Sequence, residues 1–283
     1  MLIRFTKMHG LGNDFVMLDL ISQELRLRPD QIEALSDRKL GIGFDQLLMA
    51  EPPTTPEADF RYRIYNADGS EAEQCGNGAR CFLRFVRDRG LTTKTDIVLE
   101  TNTGLIRCKL EKDGNITVDM GRPILQPEKI PFLAPVPQIT YDLDIPPSAL
   151  CNETQTINLA AISMGNPHAV IIVPSVIETQ VPLLGPQIQQ SDLFPQGVNV
   201  GFMEIVSASH IKLRVYERGV GETSACGSGA CAAIVAGRLQ GLLEETVTVS
   251  LTGGDLTLNW AGDNSSVMMT GPASRVYEGR LHI

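Results

Sequence analysis

IYNADGSEAEQCGNGARCFLRFVRDRGL, from Ile64 to Leu91, aligns without a gap on VYERGVGETSACGSGACAAIVAGRLQGL, from Val215 to Leu242. The match places Cys75 on Cys226, Gly76 on Gly227, Gly78 on Gly229 and Ala79 on Ala230, with Tyr65, Glu71, Arg87, Gly90 and Leu91 also meeting their own kind. An internal repeat of this quality sets architecture before any single motif is read. Upstream, GNDFV from Gly12 pairs with GNPHAV from Gly165 and Gln46 with Asn199, at an offset two residues larger. Downstream, VDMGRP around Gly121 resembles MMTGPA around Gly271. Repeats of roughly 120 residues are domain-sized. Two homologous domains are therefore expected, 1–121 and 122–271, with the tail 272–283, which holds the alternating run ASRVYEGRLHI from Ala273, crossing back to complete the first sheet.

Strand-like runs dominate both halves: LIRFTKM, DFVMLDL, RYRIYN and DIVLETN in the first, AVIIV, VNVGFMEI, IKLRVYE and TVTVSLT in the second. A helix is expected after each repeated cysteine, because Ala79, Phe82, Leu83 and Val86 share one helical face and Ala230, Ala233, Ile234 and Gly237 occupy the equivalent one. Gly90 and Gly241 read as the stops of these helices. The second helix is small or apolar nearly all round, which requires sheet wrapped about it. The expected class is α+β, two pseudo-symmetric domains, each a curved sheet around a central helix, with the active site in the cleft between them. The stretch Arg122 to Pro147 holds seven prolines, which oppose helix and suit an extended linker with edge-strand character.

Composition narrows the function classes. The 283 residues are 43% hydrophobic, enough for a substantial core, and 24 basic against 33 acidic residues give a net charge of -9. That charge repels a phosphate backbone, so no nucleic acid partner is expected. The opening MLIRFTKMHG has no apolar signal region, and the apolar run Ala169 to Val173 is far too short to span a bilayer. A soluble cytoplasmic protein without a membrane partner is expected. The six cysteines form no CxxC pair and lack the density of a disulfide scaffold, and with four scattered histidines they offer no zinc-ligand spacing.

The chemistry resides in the repeated Cys-Gly-x-Gly-Ala. A helix start offers unpartnered N–H groups and the positive end of a dipole, so each junction is an anion site that favours a thiolate, and glycines there let a ligand approach the backbone. Two such ends facing one cleft would hold a carboxylate and flank its α-carbon with two thiols. Inversion of a stereocentre needs this: one group removes a proton from one face and another delivers one to the opposite face. A lone buried cysteine is ordinarily only a small apolar residue, but packing does not require the same backbone setting twice. Cys81, Cys108, Cys151 and Cys231 have no equivalents and read as structural. GLGND near Gly10 fails the GxGxxG spacing of a dinucleotide site.

Nearly end to end, the chain resembles the diaminopimelate epimerase family, through KMHGLGNDFVMLD from Lys7, GFDQLL from Gly43, YNADGSEAEQCGNGARC from Tyr65, MGNPHAV from Met164, GVNVGFMEI from Gly197, YERGVGETSACGSGACA from Tyr216 and MMTGPA from Met268. The resemblance implies conversion of LL- to meso-diaminopimelate without pyridoxal phosphate, metal or other cofactor, toward lysine and peptidoglycan. It implies that Cys226 accepts and Cys75 donates the proton when LL substrate is consumed. It implies that Gly76, Asn77, Gly227 and Ser228 bind the reacting carboxylate through backbone groups, and that Asn13, Gln46, Asn66, Asn166, Asn199, Glu217 and Arg218 hold the amino groups and the distal carboxylate. An arginine fork suits a second carboxylate. His168 and Glu217 are implied to tune the thiols, although taken alone the first reads more readily as a structural histidine and the second as a strand-edge charge. A homodimer is expected from the resemblance and from the strand edges a duplicated β-rich fold leaves open. Two rival readings are a proline or hydroxyproline racemase and a noncatalytic amino-acid binder. A ring imino acid would leave the polar set around Glu217 and Arg218 unpaired at a cost of roughly 1–3 kcal/mol per group, and a binder needs no twin thiols.

Overall fold

In the first half, alternation writes the strands: Phe60, Tyr62 and Ile64 point inward from β4 (Phe60–Asn66) while Arg61, Arg63 and Tyr65 are partly solvated. The computed structural model describes residues 2–72, 75–146 and 154–282. Two units divide it, Met1–Asp119 with Thr270–Ile283, and Met120–Met269.

The first unit contains β1 (Leu2–Gly10), β2 (Asn13–Asp19), α1 (Pro29–Ser36), β3 (Gln46–Glu51), β4, β5 (Glu71–Ala72), α2 (Gly76–Asp88), β6 (Asp96–Thr101), β7 (Gly104–Leu110), β8 (Ile116–Asp119) and the C-terminal β18 (Ser274–His282). Strand β18 lies antiparallel on β1, and the sheet continues through β2, β3, β4, β6, β7 and β8, with β5 hairpinned onto β4. Two neighbouring pairs, β2–β3 and β4–β6, are parallel, and parallel neighbours need a crossover. Helix α1 is the first crossover and α2 the second. Helix α2 packs against β1, β2, β3, β7, β8 and β18, so the sheet curves around it. Its residues Ala79, Phe82, Leu83 and Val86 are fully buried, each large one contributing about 1.5–3 kcal/mol. A separate cluster, with Ile32 and Leu35 of α1 against Val16, Leu18, Leu47 and Met49, closes the other face.

The second unit repeats the plan with β9 (Tyr141–Ile145), β10 (Gln155–Ser163), β11 (Pro167–Ile172), α3 (Val181–Gln189), β12 (Asn199–Ser207), β13 (His210–Glu217), β14 (Gly221–Thr223), α4 (Gly227–Leu239), β15 (Thr246–Leu251) and β16 (Gly254–Asn259); β17 (Met268–Gly271) runs across the unit boundary. The parallel pairs recur as β11–β12 and β13–β15. Equivalence extends to register: Phe15 opposes Gln46 in the first unit as His168 opposes Asn199 in the second. Both central helices end in the same left-handed stop, with Leu91 N–H bonded to Val86 O and Leu242 N–H to Gly237 O, each at 2.9 Å.

The expected linker is not a spacer. Residues Ile130, Phe132, Tyr141, Leu143 and Ile145 are buried in the second unit's core, β9 pairs with β10, and Pro127–Lys129 make a single 3-10 turn. Proline at the first position of that turn removes an N–H that has no helical partner anyway, which is why a proline-rich stretch tolerates it. Cys151, read above as structural, lies outside the described residues. No helix among the described residues is long and apolar enough to cross a membrane.

Candidate active site

Each repeated cysteine is the N-cap of its central helix. Cys75 has extended φ and ψ of -144° and 109°, and its Sγ accepts from the Gly78 N–H at 3.4 Å. Its carbonyl accepts from the Tyr62 hydroxyl at 3.1 Å. The Cys75 thiol donates to Asn13 Oδ1 at 3.8 Å, and that oxygen also accepts from Asn77 Nδ2 at 3.3 Å. The β2 start, the α2 cap and the first turn of α2 are thereby joined around one sulfur. Gln46 and Asn66 oppose each other across β3 and β4, with Gln46 Nε2 donating to Asn66 Oδ1 at 3.0 Å and Asn66 Nδ2 donating to Ser70 Oγ at 3.1 Å. Gly76 and Asn77 open α2, whose first turn carries no acidic residue to compete with a bound anion.

In the second unit Cys226 caps α4 with φ and ψ of -108° and 105°, and its sulfur lies 3.7 Å from Ser228 Oγ. Only 4% exposed, the thiol is pushed well above its ordinary range, first by burial and then by the Glu217 carboxylate, against the opposing Ser228 hydroxyl and Gly229 N–H. This corrects the expectation that the helix start makes this cysteine a ready thiolate. Desolvation of the charged sulfur outweighs the Ser228 and Gly229 hydrogen bonds that favour it. Glu217, at the end of β13, also accepts from the Thr223 hydroxyl. The next residue, Arg218, is exposed; its N–H donates to Asn199 Oδ1 at 2.9 Å and its Nη1 to the Gln196 carbonyl at 2.8 Å. Asn199 Nδ2 in turn donates to the Pro167 carbonyl at 3.1 Å. His168 is wholly buried, with Nε2 and Asn166 Oδ1 3.0 Å apart, and burial, seconded by the Arg218 charge, lowers its pKa to about 3. The imidazole is neutral, so a neutral Nε2–H donates to Asn166.

The second glycine of each motif is closely packed. A Cβ on Gly78 would stand 2.2 Å from the Tyr62 hydroxyl, and one on Gly229 would stand 3.1 Å from Val215 and 3.2 Å from Cys226 Sγ. Packing alone demands glycine at position 78, whereas at position 229 Val215 and the Cys226 side chain would have to give by a few tenths of an ångström. Sequence reading also missed Lys7, Asp14, Arg38 and Asp45, which form a charged network behind Asn13. Their signal was available: Asp14 and Asp45 are the immediate neighbours of Asn13 and Gln46 inside two of the motifs quoted above. Among the described residues no group of three or more His, Cys, Asp or Glu side chains is placed to hold a metal ion. Cys81, Cys108 and Cys231 are buried and form no disulfide, and desolvation pushes the Cys81 thiol up to about 12 and raises that of Cys108, so neither of these two competes as a nucleophile. A concavity of about 210 Å³ in the first unit, between Arg4, Asp19 and Arg89, contains none of these site residues.

Comparison with known proteins agrees with the duplicated plan. Hydroxyproline epimerase from Agrobacterium vitis superposes with a TM-score of 0.69 at 15% identity, over 99% of this chain and 92% of that one. A PhzF-family phenazine biosynthesis protein from Bacillus anthracis gives 0.69 at 14% identity, covering 100% of both chains. At such identities the likeness is one of fold alone. Diaminopimelate epimerases from Ectopseudomonas mendocina (strain ymp) and Thioalkalivibrio sulfidiphilus (strain HL-EbGR7) are 53% identical over 283 residues and 55% identical over 285, each covering 100% of both chains. The family model described as diaminopimelate epimerase matches residues 5–126 and 160–276, taking in both cysteine caps. The chain belongs to the diaminopimelate epimerase family, a family of isomerases.

Proposed function

We propose that this enzyme converts LL-2,6-diaminopimelate to meso-diaminopimelate by a two-base proton transfer between Cys226 and Cys75, using no cofactor, in the formation of lysine and peptidoglycan precursors. The observation that carries the reading is the cysteine N-cap built twice, once on each central helix. In the LL direction the Cys226 thiolate takes the α-proton and becomes a thiol, while the Cys75 thiol gives its proton to the opposite face and becomes a thiolate. The reverse direction exchanges the roles. Charge that builds on the reacting carboxylate is met by N–H groups of Gly76, Asn77, Gly227 and Ser228, which act as an oxyanion hole does. Asn13, Gln46, Asn66, Asn166, Asn199, Glu217 and Arg218 are assigned to the amino groups and the distal carboxylate, with Arg218 supplying a planar fork for the latter.

Cys226 starts as a buried thiol beside Glu217, so its deprotonation, the proton passing to bulk water, has to be coupled to substrate binding. An incoming ammonium near Glu217 offsets the carboxylate that disfavours the thiolate, and His168 keeps Asn166 oriented without adding charge. The same reading makes the protein a cytoplasmic homodimer whose partner is the small-molecule substrate. Net charge of -9 argues against nucleic acid as a partner.

The test is chiral analysis of LL-diaminopimelate incubated with enzyme, reductant and no added cofactor, run in deuterium oxide. Product should carry α-deuterium while recovered substrate stays largely protiated at early times. Cys75→Ala and Cys226→Ala should each abolish epimerisation, because one inversion needs both partners. Substantial turnover by either variant, or equal early label in both pools, would overturn the mechanism. Equal turnover of proline or hydroxyproline would redirect the substrate assignment.

A further inference from the structure

We propose that Asp45 is a positioning residue for the Cys75 half-site, locking the Asn13 amide so that its carbonyl faces the sulfur and keeps Cys75 protonated. The inference rests on the reading above, in which Cys75 is the proton donor in the LL direction.

An asparagine amide has two nearly isosteric ends, and only its partners decide which way it points. Asn13 meets Asp45 Oδ2 at 2.9 Å. A carboxylate only accepts, so the NH₂ end must face Asp45. The Oδ1 end then faces the Cys75 thiol and Asn77 Nδ2, at 3.8 and 3.3 Å. An acceptor aimed at a thiol favours the S–H form, whereas a donor favours the thiolate. Turning the amide over would put NH₂ against the sulfur and reverse its effect.

Asp45 is itself anchored. Its Oδ2 also accepts from the Asp14 N–H at 3.1 Å, and its Oδ1 pairs with Arg38 at 2.7 Å. Arg38 spreads its fork onto both oxygens of Asp14, at 2.9 and 2.8 Å. Asp14 pairs with Lys7 at 2.6 Å, where the two side chains are only 17% and 9% exposed, and Lys7 also donates to the Gly43 carbonyl. Gly43 has φ of +74°, and a Cβ there would lie 2.9 Å from the Arg38 backbone, so the loop that carries Arg38 and Asp45 closes only around glycine. A network of four charges on β1, β2 and the loop into β3 thus ends on one amide. No other part of the proposed chemistry uses it.

The experiment is a titration of Cys75 in the full chain, reading iodoacetamide alkylation of that residue by mass spectrometry as a function of pH. It needs no turnover, so its result stands apart from whether Cys75→Ala abolishes epimerisation. In Asp45→Asn the neighbour can donate as well as accept, the Asn13 amide is free to turn, and the alkylation midpoint should move to lower pH. At a fixed pH below the midpoint the rate should rise about three- to tenfold. Asn13→Asp, which places acceptor oxygens alone at the sulfur, should move the midpoint to higher pH. Because each substitution also changes a charge, Asp45→Asn is measured again in an Asn13→Ala background, where a shift carried by the Asn13 amide is lost and a purely Coulombic one persists. Asp45→Ser is measured alongside and read the same way should Asp45→Asn fail to fold. Profiles that coincide with the unaltered protein's, or shifts of the same sign in the Asp45 and Asn13 variants, overturn the proposal.

Discussion

The Tyr62 hydroxyl donates to the Cys75 carbonyl at 3.1 Å and stands 2.2 Å from where a Cβ on Gly78 would sit. One phenol therefore both holds the helix cap and fills the space that a side chain at Gly78 would need. Burial keeps that phenol protonated, its pKa well above the ordinary value, so it remains a donor across the working pH range. Gly78→Ala should reduce turnover at least tenfold by displacing the cap. Tyr62→Phe alone should cost about 1 kcal/mol of stability, the worth of one hydrogen bond, and less activity. Combined with Gly78→Ala it should restore part of the lost turnover, since the obstructing oxygen is gone. Strictly additive losses in the double variant would show that the two residues do not share this space.

Cys226 offers a second measurement. Its thiol is disfavoured as an anion by burial first and by Glu217 second. Glu217→Gln removes the charge but keeps the shape, so the pH midpoint for alkylation of Cys226, followed by mass spectrometry, should fall. The midpoint is the informative quantity, because a site only 4% exposed reacts slowly at any pH. An unmoved midpoint would remove Glu217 from control of this thiol.

The repeat in the sequence was enough to find both central helices, their glycine stops and most strands, because amphipathic period and duplicated motif agree there. It did not reveal α1 or α3. These short crossovers are demanded by the parallel β2–β3 and β11–β12 pairs, a fact of strand pairing that no local pattern expresses, and α3 carries Pro182 and Pro186, which argue against helix. The cysteine caps were legible because chemistry was written twice. The desolvation of Cys226 was not, since burial is a sum over elements far apart in the chain. Asp45 and Arg38 escaped for a related reason: they act through Asn13, and sequence adjacency does not show which neighbour an amide faces.

The shared helix stop can be tested in both units at once. Gly90 and Gly241 have φ of +70° and +71°, and neither has an atom within 4 Å of an added Cβ. Alanine at either position therefore meets backbone strain without a steric clash. Left-handed strain of about 1–2 kcal/mol, less the gain of roughly 0.4–1 kcal/mol from a stiffer unfolded chain, leaves a net loss near ~1 kcal/mol for each. Urea unfolding should report similar losses for the two variants. Gly237→Ala differs, because its Cβ would lie 2.3 Å from the Leu243 side chain, and it should cost more unless Leu243 is shortened. Retention of full stability by either Gly90→Ala or Gly241→Ala would mean that the stop tolerates a side chain there.

The last prediction follows from His168, which is 0% exposed and whose pKa is lowered from 6.5 to about 3. In the unfolded chain the imidazole takes up a proton near 6.5, whereas in the folded chain it stays neutral down to about 3. Between those values the unfolded state binds more protons, so stability must fall as pH falls. One proton difference corresponds to a slope of about 1.4 kcal/mol per pH unit in that window. The depressed carboxyl of Asp14 in the other unit acts later: it begins to lose its contribution only as pH drops toward and below its ordinary 3.8. A comparison between pH 5 and 6.5 therefore isolates the histidine from that ion pair. His168→Gln keeps a donor for Asn166 Oδ1 but cannot titrate, so it should flatten the urea-unfolding free energy across this interval while the unaltered protein slopes downward toward acid. Parallel profiles for the two proteins would assign the acid sensitivity to some other group.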